Sequence, residues 1–460
     1  MKIFVSNIYS SLKTSNIEVL KALGKKYSAK APGYEYTGAY RYGHWNGVKK
    51  FFNPRTGKFG TGLLSTILED LDYINEKYEI IDSRPELKYD FSSLDGIEFR
   101  PYQENLIKKA LKCRNCIIKA PTGSGKTIII ASILNSLRNY TGLIFFNKKQ
   151  LLHQTYKFLI KHGLDVGIAF GDGVDIKPIT LCTIQSIEKV IDTHLKTSDF
   201  IIFDEIHEFS KGKIASKVLK SFPKASVRIG LSATPPTDKF SKLSVCSFLG
   251  REIEYVTAED LVSEGYLTPP SIEIIELPDV EPVEYEGLKY NELYDSYIVD
   301  NAVRNETIAK ICKNIKGKNS KVLILTKNLI HAKILHGIIP NSYKLEGKDG
   351  ISEREETLKN FVNDDGPSFI IGTIIFQTGV DIPELTHLIN ARGLKSEIAT
   401  IQALGRTLRK HDNKNEVYIY DFIDKVPYLS KHSRSRISAY KSLNFNVTIH
   451  GNKKPKRKQH

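Results

Sequence analysis

Ala120-Pro-Thr-Gly-Ser-Gly-Lys-Thr127 decides how the chain is read. With alanine allowed at its first position, it fits the phosphate-loop pattern G-x-x-x-x-G-K-[ST]. Its flanks agree. Cys116-Ile-Ile-Lys119 is a short apolar run that predicts a buried strand, and residues 128–137 predict a buried helix. Gly123 and Gly125 let the backbone turn tightly, so that successive N–H groups face phosphate oxygens. The helix opening near Lys126 adds its positive end. Lys126 is placed for the β- and γ-phosphates of ATP and Thr127 for Mg²⁺. Pro121, Thr122 and Ser124 complete the expected cradle.

Working outward, strands and helices alternate from Phe99 onward, which predicts a parallel α/β sheet. Arg100-Pro-Tyr-Gln103 opens a helix running to about Lys112, and the Gln103 amide is suited to an adenine edge because it both donates and accepts. Asp199-Phe-Ile-Ile-Phe203 predicts a strand that delivers Asp204 and Glu205 beside the phosphate loop. Asp204 is expected to hold Mg²⁺ and Glu205 to deprotonate the attacking water. Two further strands end at Thr183-Ile-Gln-Ser186 and Ser232-Ala-Thr234.

Pro269-Pro270 marks a break, followed by an acidic, tyrosine-rich stretch read as a connector plus a helix. Alternation resumes at Lys321–Thr326 and forms a second α/β unit with no phosphate loop of its own. That predicts a nucleotide shared by both units. Gln402-Ala-Leu-Gly-Arg-Thr-Leu-Arg409 is the expected contribution of the second unit, with Arg406 and Arg409 on one helix face as guanidinium forks for the γ-phosphate. Gly379 and Asp381 are expected at nucleotide or ribose, and Thr373 at a nucleic-acid phosphate.

At 460 residues the chain is too long for one core. No run reaches the roughly 18 apolar residues of a membrane span. The polar start argues against a signal peptide, and five cysteines argue for a reducing cytoplasm. Cys113-Arg-Asn-Cys116 lacks the second pair that a metal site would need. Of the net +15, residues 1–60 carry +9 and residues 425–460 carry +10, leaving −4 for the middle. Basic ends around a near-neutral centre predict a nucleic-acid partner.

Gly33–Phe52 interleaves glycine, aromatic and basic residues. It predicts short strands with a hairpin turn at Asn46-Gly47. Most rings are read as core, though aromatic faces could also stack on bases, and Trp45 is carried as a nucleic-acid contact. Arg41, Lys49, Lys50, Arg55 and Lys58 are read as facing DNA. The domains expected are 1–88 (DNA binding), 89–268 (ATP binding), 269–300 (connector), 301–430 (second lobe) and 431–460 (basic tail). Removing 1–88 is expected to spare ATP hydrolysis.

Ala120–Thr127, Asp204–His207, Ser232–Thr234, Thr373–Asp381 and Gln402–Arg409 stand in the order of motifs I, II, III, V and VI of superfamily 2 helicases, and the chain resembles that superfamily over about residues 99–424. Gln150–Gln154 and Thr183–Ser186 resemble its nucleic-acid contacts, and Gly347, Arg354 and Phe361 its IVa region. Tyr42-Gly-His-Trp-Asn-Gly47 and Gly405–His411 are similar to the phage branch-migration helicases of the UvsW type, as in a counterpart from a T5-like phage. The resemblance implies two RecA-like lobes with a small α+β amino-terminal domain, ATP and Mg²⁺ as cofactors, and forked, four-way and single-stranded DNA as partners. It implies a monomer in the host cytoplasm. An RNA helicase and the motor of a nuclease or restriction assembly are the alternatives.

Overall fold

The protein is described by a computed structural model. It covers all residues except 92–93, 172, 210–216, 255, 280–283, 318, 347–348, 350, 374–381, 396, 412–413 and 452–460, and gives no side-chain description for 351, 397–398, 402 and 406. The chain divides into two units, Met1–Val256 and Thr257–His460. No described helix is long and apolar enough to cross a membrane.

The first unit opens with β1 (Lys2–Val5), β2 (Tyr9–Lys13), helix α1 (Ile17–Lys26), β3 (Ser28–Lys30), β4 (Val48–Lys50), β5 (Lys58–Gly60), α2 (Leu64–Tyr73) and β6 (Glu79–Asp82). Four of these strands form a sheet in the order β5-β2-β1-β6. Alternation in β1 buries Ile3 and Val5 and exposes Lys2 and Phe4.

The large sheet that follows is built from β7 (Asn115–Lys119), β8 (Gly142–Phe146), β9 (Gly167–Phe170), β10 (Gly173–Asp175), β11 (Ile179–Thr183), β12 (Phe200–Phe203), β13 (Val227–Ser232) and β14 (Glu252–Ile253). Its order is β10-β9-β11-β8-β12-β13-β7-β14, parallel except at β10. Strands β8 and β12 at its centre are unbroken apolar runs because helices cover both faces. Those helices include α3 (Pro101–Cys113), α4 (Lys126–Ser136), α5 (Lys149–Lys161) and α6 (Lys239–Leu249). Strand β13 lies between β7 and β12, so its end falls between the phosphate loop and the two carboxylates.

The second unit is a seven-stranded parallel sheet of β15 (Pro270–Glu276), β16 (Lys321–Leu325), β17 (Ser342–Leu345), β18 (Ser368–Gly372), β19 (His387–Asn390), β20 (Val417–Ile423) and β21 (Val447–His450), ordered β17-β18-β16-β19-β20-β15-β21. Its helices include α7 (Ala302–Asn314), α8 (Leu329–Ile338), α9 (Ile351–Asn363), α10 (Glu397–Thr407) and α11 (Leu429–Lys441). A buried polar network ties its sheet to α7 and α11. Arg304 pairs with Asp424, and Arg436 forks onto Asp421, which also accepts from Tyr440 and Asn390.

The two parallel sheets agree with the expected fold class, but several local readings need correction. The expected connector begins as strand β15, paired along its length with β20. The expected tail contains α11 and the edge strand β21; only its last residues lie outside the description. Residues 33–47 are not strands. They hold a 3₁₀ turn (Tyr34–Tyr36) and a single helical turn (Gly38–Arg41), and Asn46-Gly47 closes a 17-residue excursion between β3 and β4, not a two-residue hairpin. The rings there are not core: Tyr36 and Tyr42 are each 79% exposed. Tyr34 packs edge-on to Tyr40 and over Gly47.

The amino-terminal part also shares a hydrophobic core with the large sheet. Phe52, Phe59, Leu63, Phe203 and Leu249 belong to one buried cluster. The contact is close: a Cβ on Gly60 would sit 2.1 Å from the Ser247 carbonyl oxygen, and one on Gly62 2.2 Å from that of Cys246.

Candidate active site

The site is assembled at the carboxyl ends of β7, β13 and β12. Strand β7 releases the chain into residues 120–125, where Gly123 (φ 87°) and Gly125 (φ 75°) adopt left-handed backbone that a side chain would strain. Helix α4 starts at Lys126 and is apolar all round, so it is buried on nearly every side. This anchors the loop from below.

Three side chains at the start of α3 hold the loop from the side. The Arg100 guanidinium donates to Gly123 O at 3.0 Å, and Tyr102 Oη to Ser124 O at 2.9 Å. Gln103 Nε2 donates to Ser124 O at 2.8 Å, while its Oε1 accepts from Arg100 N at 3.0 Å. Gln103 is fully buried. The expectation that it reads adenine is therefore corrected: both ends of the amide are engaged by the protein. Arg100 and Tyr102 were missed as loop-holding residues, because an opening Arg-Pro-Tyr reads as ordinary helix entry until the loop is folded beside it.

Lys126 Nζ lies 2.8 Å from Glu205 Oε1. Glu205 Oε2 is 3.3 Å from His207 Nδ1, which in turn is 2.8 Å from Ser232 Oγ. Ser232 Oγ also accepts from Thr234 N at 3.1 Å. One chain of contacts thus runs from the loop lysine through the carboxylate to the end of β13. Glu205 itself has φ 53°, a left-handed backbone that costs a non-glycine residue about 1–3 kcal/mol and concentrates at functional positions. Burial raises the Glu205 carboxyl, but Lys126 and His207 outweigh it and hold the group below its ordinary value. Burial, reinforced by the Glu205 charge, pushes the neighbouring Asp204 carboxyl up to about 7.

The residues fit a nucleotide triphosphate with a divalent cation. Ser124 Oγ and Thr234 Oγ1 are buried with no hydrogen-bond partner among the described residues, a state that costs free energy unless a ligand satisfies them. A buried acid raised by its neighbour's charge is likewise relieved by a cation. Among the described residues no three His, Cys, Asp or Glu side chains cluster as a metal site.

The other expected residues separate into three groups. Thr183 and Ser186 are buried and bonded to each other, Oγ1 to Oγ at 3.0 Å, and Thr373 is also buried. Arg41 and Lys50 are exposed. Trp45 is half-buried, its Nε1 donating to Val48 O, and Lys49 is half-buried over the rings of Phe51 and Phe240. Burial, then the nearby Lys220 charge, lowers the Lys49 ammonium below its ordinary value. In the second unit, Gly379 and Asp381 lie outside the described residues, as do the side chains of Gln402 and Arg406. Arg409 does not share a helix face with Arg406. Helix α10 ends at Thr407, the Thr407 carbonyl accepts from Lys414 Nζ, and Arg409 sits in a β-bridge with Leu267.

Both units resemble known proteins. Residues 96–237 match the family described as type III restriction enzyme, res subunit, and residues 304–411 the helicase conserved C-terminal domain. The chain is 27% identical to the ATP-dependent DNA helicase uvsW of Enterobacteria phage T4, over 92% of this chain and 93% of that protein. It is 28% identical to the DNA 3'-5' translocase XPB2 of Sulfurisphaera tokodaii, over 70% of this chain and 80% of that one. Its fold is similar to that of the ATP-dependent type ISP restriction-modification enzyme LlaBIII bound to DNA, with a TM-score of 0.58, 16% identity, and 83% of this chain and 34% of that chain covered.

Proposed function

We propose that this chain, a superfamily 2 ATP-dependent helicase, couples ATP hydrolysis to movement along DNA and to the unwinding or branch migration of forks and four-way junctions. The observation that carries this reading is the span of its similarity to the T4 helicase: it takes in nearly the whole chain, amino-terminal part included.

Lys126 and the backbone of residues 121–127 would hold the phosphates, and Thr127 and Asp204 would hold Mg²⁺. The cation supplies charge neutralisation on the phosphates when bound. Glu205, released from Lys126 when the lysine turns to phosphate, accepts the proton of the attacking water. Gln402, Arg406 and Arg409 are assigned to the same reaction from the second unit by their order in the motif alone. Tyr36, Tyr40 and Tyr42 form an exposed aromatic arm beside Arg41, Trp45, Lys49 and Lys50, suited to a backbone contact with flanking stacking.

Four-way junctions and forks, incubated with the protein with and without ATP, test the reading. ATP-dependent release of paired arms is expected. ATP hydrolysis stimulated by RNA alone, or junctions left intact, would reject it.

A further inference from the structure

At the carboxyl edge of the second unit's sheet, where open α/β sheets bind ligands, four aromatic side chains meet. Tyr290 packs edge-on to Tyr428 at 6.4 Å between ring centroids, edge-on to His432 at 5.6 Å, and tilted against Tyr294 at 6.2 Å. They come from separate segments: the stretch before α7, the turn after β20, and α11. Lys327, just past the end of β16, places its ammonium 4.0 Å from the Tyr294 ring centroid and 5.7 Å from that of Tyr290. Lys327 and Lys431 are exposed.

Tyr428 is the telling residue. The residue is 54% exposed although it belongs to this cluster. Its backbone has φ 61° and ψ −51°, and Leu429 N donates to Pro427 O at 2.7 Å. That is a γ-turn of the rare, strained hand, a conformation that glycine would hold more readily. A fold optimised only for stability would not place a half-exposed tyrosine there. Burial lowers the His432 imidazole below its ordinary value, and its Nδ1 donates to Gly393 O at 3.3 Å, which fixes the ring.

Resting on the DNA reading above, we propose that Tyr428, Tyr290 and His432 form a stacking platform for an unpaired DNA base, with Lys327 and Lys431 taking the adjoining phosphates. Stacking is sequence-tolerant because every base has a π-face, and the platform gives the second unit its own hold on a displaced strand.

The test compares Tyr428→Ala, Tyr428→Gly and Tyr428→Phe in the full chain. Affinity is measured by fluorescence anisotropy at fixed salt for a fork with a single-stranded arm and for a blunt duplex. Loss of the ring weakens fork binding about tenfold. Tyr428→Phe keeps wild-type affinity, and the duplex is bound equally by all. A fork carrying 5-iododeoxyuridine in its single-stranded arm crosslinks to the peptide containing Tyr428 or Tyr290. Unchanged fork affinity with crosslinks only elsewhere would overturn the platform, as would equal losses in all three variants with lowered melting temperatures. A wild-type chain that binds neither DNA would instead overturn the helicase reading beneath it.

Discussion

Glu205 and Gln103 show how far a single residue's chemistry follows from its type. The sequence placed Glu205 at a strand end and assigned it the water; the structure adds its strained backbone and its contact with Lys126. Glu205→Gln is expected to retain ATP binding and lose turnover by about 10²–10⁴-fold, the usual share of a general base. Equilibrium binding of a fluorescent ATP analogue, with phosphate release measured alongside, checks both halves. For Gln103, type misled. An amide can read adenine, but this one is closed inside the protein with both ends engaged. Gln103→Ala should therefore raise KM for ATP and GTP by similar factors, because it loosens the loop under any nucleotide. A loss confined to ATP would restore adenine reading. Residue identity fixed what Gln103 could do, and only the fold beside it decides what it does.

At the scale of elements, the legible parts were those with a strong period or an invariable pattern: the apolar strands β7, β8, β11, β12 and β13, helix α4, and the loop between them. The illegible parts were decided by neighbours distant in sequence. Residues 33–47 had the composition of a small β core, yet they fold as two short helical turns that leave Tyr36 and Tyr42 outside. Helix α10 carried a pattern long enough to include Arg409, yet Lys414 caps it at Thr407 and the chain leaves to pair with Leu267. Strand β13 read as plain, yet Arg228 lies fully buried in it, donating to the carbonyls of Leu219, Ser221 and Phe222, with burial lowering it to about 9. The contact of α6 with the segment after β5 was equally invisible, and it makes a sharp prediction. Gly60→Ala places a methyl against the backbone oxygen of Ser247, which cannot yield as a flexible side chain would. It should cost about 1–3 kcal/mol, read as a lower denaturation midpoint, whereas Gly43→Ala, with no atom within 4 Å of its added carbon, should cost only its backbone strain.

For the whole molecule, two expectations follow from how buried groups are distributed. His331 and His387 are buried in the second unit, and burial lowers them to about 3 and about 4. An unfolded chain takes up these protons near pH 6.5; the folded one refuses them until far lower pH. The neutral rings therefore contribute stability that is full above about pH 6.5 and is lost as pH falls towards the folded values, at up to about 1.4 kcal/mol per pH unit for each ring. Urea midpoints of the second-unit transition should fall between pH 7 and pH 5, and His331→Leu should flatten that slope.

The second expectation reverses the reading made from sequence, in which residues 1–88 could be removed without harm to ATP hydrolysis. Phe52, Phe59 and Leu63 share a core with Phe203 and Leu249, and Tyr9 packs edge-on to Phe248. Asn7 donates to the carbonyls of Pro223 and Lys224, in the turn that Arg228 braces from inside. Truncation would strip apolar cover from α6 and from the layer beneath β12, the strand that carries Asp204 and Glu205. Each large side chain so exposed costs about 1.5–3 kcal/mol, and several together exceed the margin of an ordinary domain. The chain lacking 1–88 should therefore aggregate or melt well below the intact protein, and lose ATP hydrolysis with its fold rather than only the proposed grip on branched DNA. A truncated protein with an unchanged melting temperature and undiminished basal hydrolysis would show the shared core to be dispensable, and the amino-terminal part to be the separable module that its composition first suggested.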